Sequence, residues 1–253
     1  MNLEKNRITD VNLFSIPIAA VTMQQTVARI AAAIETNTEL QHVVVNAGKI
    51  VAMQTDAELR DSVLDADLIN ADGQAVVWAS KILGQPLPER VAGIDLMLNL
   101  VKMAHEKGLK CYFLGAKEEV VKKVIDVFSK TYSPDVVAGY RNGYFKGEDE
   151  EQIARDIAAS GAQLLFVAIS SPKKEIFVNK YKSIMKVPFV MGVGGSFDVV
   201  AGVTKRAPLW MQKVGLEWFY RFAQEPKRMW KRYLVGNSKF IWLVLKERFK
   251  KNR

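Results

Sequence analysis

The stretch KCYFLGAKEEVVKKVIDVFSKTYSPDVVAGY, residues 110–140, decides the fold. A β-rich apolar run at 110–114 gives way to an amphipathic segment at helical spacing, 118–130, and then to a second short run at 135–138. Strand, helix and strand in that order make one crossover unit of a parallel sheet. The same alternation continues on both sides, from His42 to Gly192. Strands are expected at 41–46, 67–71, 110–114, 135–138, 163–168 and 187–191, and helices at 75–83, 94–106, 118–130 and 149–159. Gly84, Gly108 and Gly161 fall where helices should stop, and acidic residues 148–151 sit where a helix dipole favours negative charge. The expected fold class is α/β, a Rossmann-like parallel sheet flanked by helices. Ahead of it, residues 12–20 read as a short strand or hairpin and 23–35 as a helix.

The 253 residues are just under half apolar and one quarter charged, the balance of a globular protein with a buried core. The single cysteine, Cys111, lies in an apolar run and cannot form an intrachain disulfide; it reads as a buried structural thiol. The N-terminal residues show no basic segment followed by an apolar core, and no stretch approaches the ~20 apolar residues that span a bilayer. The net charge of +9 is unevenly placed: residues 205–253 hold 14 Lys and Arg against 3 Glu, so residues 1–204 are close to neutral. Trp210, Trp218, Trp230 and Trp242, four of the five tryptophans, are interleaved with those basic residues. The expected division is therefore a catalytic α/β domain over 1–204 and a basic helical appendage over 205–253. Amphipathic aromatics among lysines and arginines suit an anionic lipid headgroup layer. Single-stranded nucleic acid ranks second, because Phe240, Ile241, Trp242, Val244 and Leu245 read as a buried helix stripe. Packing of the aromatics on the body is the third reading.

In an open parallel sheet, ligands collect outside the C-terminal strand ends. Asp72 follows the run DLINA at such an end, where it can serve as a general base or cap the next helix. GVGGSFD, residues 192–198, can bring backbone at Gly194 and Gly195 close to a diphosphate, with Asp198 available for a hydroxyl. A tight strand-to-helix turn explains the same glycines, and Gly115 after the run CYFL shares the ambiguity. In SSPKKE, Ser171 reads as an N-cap and Pro172 as the first helical residue. Lys173 and Lys174 then either flank an anion-friendly helix end or form a solvated face. Arg90, in PERVAG, can clasp a phosphate with its guanidinium fork, or stand alone on the surface. No metal site is expected: His42, His105 and Cys111 lack ligand spacing, and the triplet Asp65, Ala66, Asp67 belongs to the opposite edge of the sheet.

The segments NADGQAVVWASKILG, PERVAGIDL, SSPKKE, GVGGSFDVVAG, KRAPLW and GLEWFYRFAQEPKRMWKRY, in this order and spacing, resemble the bacterial WecG/TagA/CpsF glycosyltransferases. The likeness runs from about Val43 to about Tyr233. It implies an inverting, metal-independent enzyme without cofactors that moves a sugar from a UDP-sugar to an undecaprenyl-diphosphate-linked sugar, in cell-surface polysaccharide synthesis. It also implies a peripheral protein at the cytoplasmic face of the plasma membrane. By matching motifs, Asp72 takes the place of the family's catalytic base, Arg90 that of an arginine on the substrate diphosphate, and Asn46 that of a pocket asparagine. Arg206, Arg221 and Arg228 fall on motif arginines of the appendage, which is thought to close over the site. Two departures stand out. A threonine usual just before the asparagine is replaced by Val44 or Val45, and Lys174 stands where glutamine is common.

Two rival readings remain at this level. A dinucleotide-dependent oxidoreductase fits the sheet, but no GxGxxG follows the first strand of the body. A membrane-recruited scaffold without nucleotide binding fits the tail. The donor sugar, acceptor, linkage and any homo-oligomerisation are open.

Overall fold

The computed structural model describes residues 10–224 and 226–251. A hairpin of β1 (Asp10–Leu13) and β2 (Ile16–Ala19) precedes α1 (Met23–Glu35), whose first turn is closed by a reciprocal capping box between Thr22 and Gln25. The body then alternates: β3 (Leu40–Val45), α2 (Ala47–Ala52), α3 (Ala57–Leu64), β4 (Leu68–Ala71), α4 (Gln74–Ile82), α5 (Gly93–Glu106), β5 (Cys111–Gly115), α6 (Glu118–Thr131), β6 (Val137–Arg141), α7 (Glu150–Ala159), β7 (Leu164–Ala168), α8 (Lys173–Met185), β8 (Phe189–Gly192) and α9 (Ser196–Val200). The six strands β3–β8 form one parallel sheet in the order β4-β3-β8-β7-β5-β6. The α/β sheet flanked by helices is as expected from the sequence.

Strands covered on both faces must be apolar at every position, and β7 shows how the alternation divides the work. Leu164, Phe166 and Ala168 face a core built with Phe113, Phe128, Phe189 and Phe197, while Leu165 and Val167 face Ile153, Ile157, Phe177 and Tyr181. The Phe113 ring stands 5.7 Å from Phe166 and 5.4 Å from Phe128, tying β5, β7 and α6 together. Cys111 is buried at the start of β5, and burial pushes its thiol pKa well up.

Several boundaries differ from expectation for local reasons. β6 starts at Val137 because Ser133 caps a 3-10 turn over Pro134–Val136. β8 starts at Phe189 because Pro188 has no N–H for the ladder, although its carbonyl still accepts from Leu40 N at 2.8 Å. The expected Ser171 cap is not formed. The Ser171–Pro172 peptide is cis, α8 begins at Lys173, and its early N–H groups bond the Ser170 and Pro172 carbonyls instead. The helix-stopping glycines behave as expected, with φ of 71° at Gly84, 66° at Gly108 and 67° at Gly161.

After α9 come α10 (Leu209–Lys213), α11 (Glu217–Gln224) and α12 (Pro226–Lys251). α12 lies along α2 and sends Phe240 and Val244 into the core beside Phe14, with the Phe14 and Phe240 rings 5.7 Å apart. The buried stripe expected on this helix is narrower than the sequence suggests. Phe240 and Val244, four residues apart, face the body, whereas Ile241, Trp242 and Leu245 point outward and are 58%, 59% and 49% exposed. Trp210, Trp218 and Trp230 are exposed as well.

Candidate active site

Parallel strands end together, so the loops after β4, β3 and β8 share one edge of the sheet. Asp72 is the first residue beyond β4, held to β3 by its N–H bonded to the Val45 carbonyl at 2.9 Å. The segment carrying Arg90 runs beside the same strand end, because Val91 N–H donates to the Ala71 carbonyl at 2.9 Å. Two segments distant in the fold's local pattern are thereby set side by side. Asp72 does not cap α4: the N-cap is Gly73, with no side-chain cap bond. Its carboxylate accepts from the Gly93 N–H at the start of α5 instead.

The environment tunes this carboxylate. Burial pushes its pKa up to about 6, opposed by Arg90 and the Gly93 N–H, while Glu217 adds to the rise and Lys49 opposes it. A carboxylate half-ionised near 6 is a far better proton acceptor at neutral pH than an ordinary aspartate.

Arg90 is paired with Glu217, the first residue of α11. The other oxygen of Glu217 accepts from Arg206 Nε at 3.2 Å, and Arg206 gives its Nη1 and Nη2 to both oxygens of Asp95, at 2.6 and 2.7 Å. This bidentate fork accounts for the raised Arg206 pKa, which burial opposes. The C-terminal segment thus reaches the edge of the sheet that carries Asp72. Gly215, at φ 77°, makes that approach: a Cβ there would lie 2.5 Å from Gln74 Cγ, on the first turn of α4.

Asn46 stands at the end of β3 next to the Asp72 loop, since a Cβ on Gly73 would be 3.3 Å from Asn46 Cβ. Its side-chain oxygen accepts from Lys49 N at 3.0 Å and caps α2. Gly194 (φ 53°) and Gly195 form the turn from β8 into α9, and the Asp198 backbone carbonyl accepts from Val203 and Thr204. These residues follow the strand adjacent to β3. Gly115 is not brought to Asp72: β5 is four strands from β4, about 19 Å at ordinary strand spacing. Its glycine is demanded by packing, because a Cβ would meet the Ala168 backbone at 2.5 Å. Arg221 lies on α11 and Arg228 on α12, and their side chains fall outside the described residues.

Of the two readings of the lysine pair, a solvated face fits Lys173 but not Lys174, and neither lysine presents a free charge at an anion-binding helix end. Lys173 is exposed and sits 4.7 Å from the Phe145 ring centre, but Lys174 is buried, its Nζ 2.7 Å from Glu175 Oε1. The same oxygen takes Lys49 Nζ at 2.7 Å, and Lys49 also donates to the Val44 carbonyl at 2.7 Å. The Lys174 charge is therefore committed inward, against Glu175. Burial alone would raise the Glu175 pKa, yet the two lysines hold it down to about 2; burial and Lys174 bring Lys49 down to about 8. Nearby, buried His42 pairs with Asn70 at 2.9 Å, and burial lowers its pKa to about 4, so it is neutral at pH 7. Asp65 and Asp67 lie at the far edge as expected, Asp65 on Lys182 and Asp67 accepting from Gln41 N at 2.8 Å. Among the described residues no three His, Cys, Asp or Glu side chains are grouped to hold a metal ion.

Sequence reasoning missed Lys49, Asp95, Glu175 and Glu217. Each has a partner 111 to 127 positions away, Asp95 in Arg206, Lys49 and Glu175 in each other, and Glu217 in Arg90, and no local pattern reveals such pairings.

Comparison with known proteins places this site in context. The family model described as "Glycosyl transferase WecG/TagA/CpsF family" matches residues 11–253. An N-acetylglucosaminyldiphosphoundecaprenol N-acetyl-beta-D-mannosaminyltransferase of Bacillus spizizenii is 39% identical over 181 residues, 72% of this chain and 69% of the relative. The protein of the same name from Bacillus subtilis is 36% identical over 192 residues, covering 76% and 73%. A match over nearly the whole chain, with relatives this similar, establishes that the chain belongs to the WecG/TagA/CpsF family and is a glycosyltransferase.

Proposed function

We propose that this glycosyltransferase moves a sugar of the N-acetylmannosamine type from UDP to N-acetylglucosamine carried on undecaprenyl diphosphate. The names of the two relatives give the sugar moved and the lipid-linked acceptor. The observation that carries the reading is the Asp72 carboxylate, its pKa raised to about 6, beside the guanidinium of Arg90. Asp72 accepts the proton of the acceptor hydroxyl, whose oxygen attacks the anomeric carbon from the face opposite UDP. The glycosidic C–O bond breaks with its electron pair going to the diphosphate, so the anomeric centre inverts. Charge grows on the leaving diphosphate as that bond breaks, and Arg90 and Arg206 are the cations at hand to stabilise it without a metal. Asn46, Gly194, Gly195 and Asp198 line the neighbouring strand ends, where the donor would lie.

The acceptor's lipid calls for a membrane surface. Among the described residues no helix is long and apolar enough to cross a membrane. The exposed Trp210, Trp218, Trp230 and Trp242, set among the basic residues of 205–253, support a peripheral contact with anionic lipid at the cytoplasmic face.

The test is a screen of UDP-N-acetylmannosamine, UDP-N-acetylmannosaminuronic acid, UDP-glucose and UDP-glucuronic acid against a lipid-diphosphate N-acetylglucosamine acceptor, read by product mass. An added N-acetylhexosamine supports the proposal. No product with any donor would reject it, and a hexose or uronic acid product would replace its donor.

A further inference from the structure

The two arginines at the site are already occupied. Arg90 donates to one oxygen of Glu217 and Arg206 Nε to the other, while both Arg206 Nη groups are taken by Asp95. Each oxygen of one carboxylate thus bridges to a separate guanidinium, the arrangement a phosphoryl group would adopt between the same two side chains. The local charges show the consequence. Among the described residues two arginines face three carboxylates, Asp72, Asp95 and Glu217, and Lys49 is the one further cation acting on Asp72. Among the described residues, a cluster so balanced offers no surplus positive charge to a diphosphate.

Glu217 is also the residue best placed to leave. It begins α11, and among the described residues only the two arginines pair with its side chain. Asp95, by contrast, sits in the first turn of α5 on the body of the fold. Loss of Glu217 would free the Arg90 donor it holds and the Nε side of Arg206, while Asp95 keeps the Arg206 fork aimed.

We infer that Glu217 is the resting occupant of the diphosphate subsite: its carboxylate holds Arg90 and Arg206 until the diphosphate of the nucleotide takes its place, so that Glu217 sets the affinity for the donor. The inference rests on the nucleotide-diphosphate reading given above. A diphosphate, with more charge and more acceptor oxygens than one carboxylate, wins the exchange, and the exchange releases the α11 end from the body. A bound diphosphate also restores the negative charge beside Asp72 that Glu217 supplies at rest.

The experiment uses the full chain in the absence of lipid. UDP and inorganic pyrophosphate are titrated by calorimetry into the wild type, Glu217→Gln, Glu217→Asp and Glu148→Gln. The last removes an exposed carboxylate paired with Lys146 and controls for overall charge. Glu217→Gln keeps the shape and loses the charge, and it should bind both ligands ~10-fold tighter, as when a competing closed state that holds nine molecules in ten is removed. Glu217→Asp, too short to bridge both arginines, should fall between, and it serves as the readout should Glu217→Gln not fold. Glu148→Gln should match the wild type. Unchanged or weaker binding by the Glu217 variants, with UDP still bound by the wild type, overturns the inference alone and makes Glu217 a structural clamp. Absence of UDP and pyrophosphate binding in every form overturns both the inference and the nucleotide reading.

Discussion

The N–H of Gly93 is aimed at the carboxylate of Asp72, and a Cβ on Gly93 would stand 3.7 Å from Asp72 Oδ2. One backbone donor, one neighbouring guanidinium and desolvation by burial therefore set the acidity of the proposed base. Because burial, with Glu217 adding to it, outweighs Arg90, the Gly93 N–H and Lys49, the pKa comes to about 6. The rate kcat should rise with pH through about 6 and level off above it. A flat profile from pH 5 to 8 would remove Asp72 as the group whose ionisation limits turnover.

The same shift has a stability signature. The folded state holds the Asp72 proton more tightly than the unfolded chain, whose model value is 3.8, so ionisation costs stability as pH rises from about 4 through about 6. Asp72→Asn should raise the melting temperature relative to wild type at pH 7.5. The difference should shrink as pH falls below about 6 and disappear only below the unfolded value of 3.8, where both states of the wild type are protonated. Thermal melts across that range check the sign.

Glu175 behaves oppositely. Its ionised form is stabilised by Lys49 and Lys174, so its contribution is fully present above the model value of 4.5 and fades as pH falls towards about 2. Glu175→Gln leaves two buried ammonium groups without their anion and should cost ~3–5 kcal/mol in denaturant unfolding. Replacing Lys174 with methionine alongside it should recover part of that loss.

Gly115 takes φ 130°, and a Cβ there would enter the Ala168 backbone. Gly115→Ala should therefore destabilise by at least ~2 kcal/mol, through backbone strain combined with steric overlap. Urea unfolding decides this, and wild-type stability would show that the β5–β7 strand ends can relax.

Charge reversal on the outward part of α12 tests the membrane contact. Lys239, Lys246 and Lys250 are exposed. Changing all three to Glu should abolish co-sedimentation with anionic vesicles at physiological salt, given ~1 kcal/mol per basic residue at the surface. Catalysis on a short-chain soluble acceptor should persist, since none of the three touches the Asp72 cluster.

Much of this was legible from residue order because the sheet's strands are buried on both faces. Continuous apolar runs such as residues 164–168 admit few alternatives, and Gly84, Gly108 and Gly161 mark helix ends by a backbone requirement that leaves a local trace. Asp72 was legible for the same reason: a carboxylate directly after a buried strand can only lie at the sheet's mouth. The pairings were not legible. That Arg90 meets Glu217, or Lys49 meets Glu175, follows from three-dimensional return of the chain, and the adjacent lysines 173 and 174 look alike in sequence although α8 turns one outward and one inward. The tail helix misled in the other direction, because an apolar cluster at 240–245 does not say which of its residues meet the body.

The most direct test of the central claim is turnover by Asp72→Asn with UDP-N-acetylmannosamine and a lipid-diphosphate N-acetylglucosamine acceptor, measured together with UDP binding. General-base catalysis by this carboxylate predicts kcat lower by ~10²-fold or more with UDP affinity retained. A variant that turns over at the wild-type rate would contradict it.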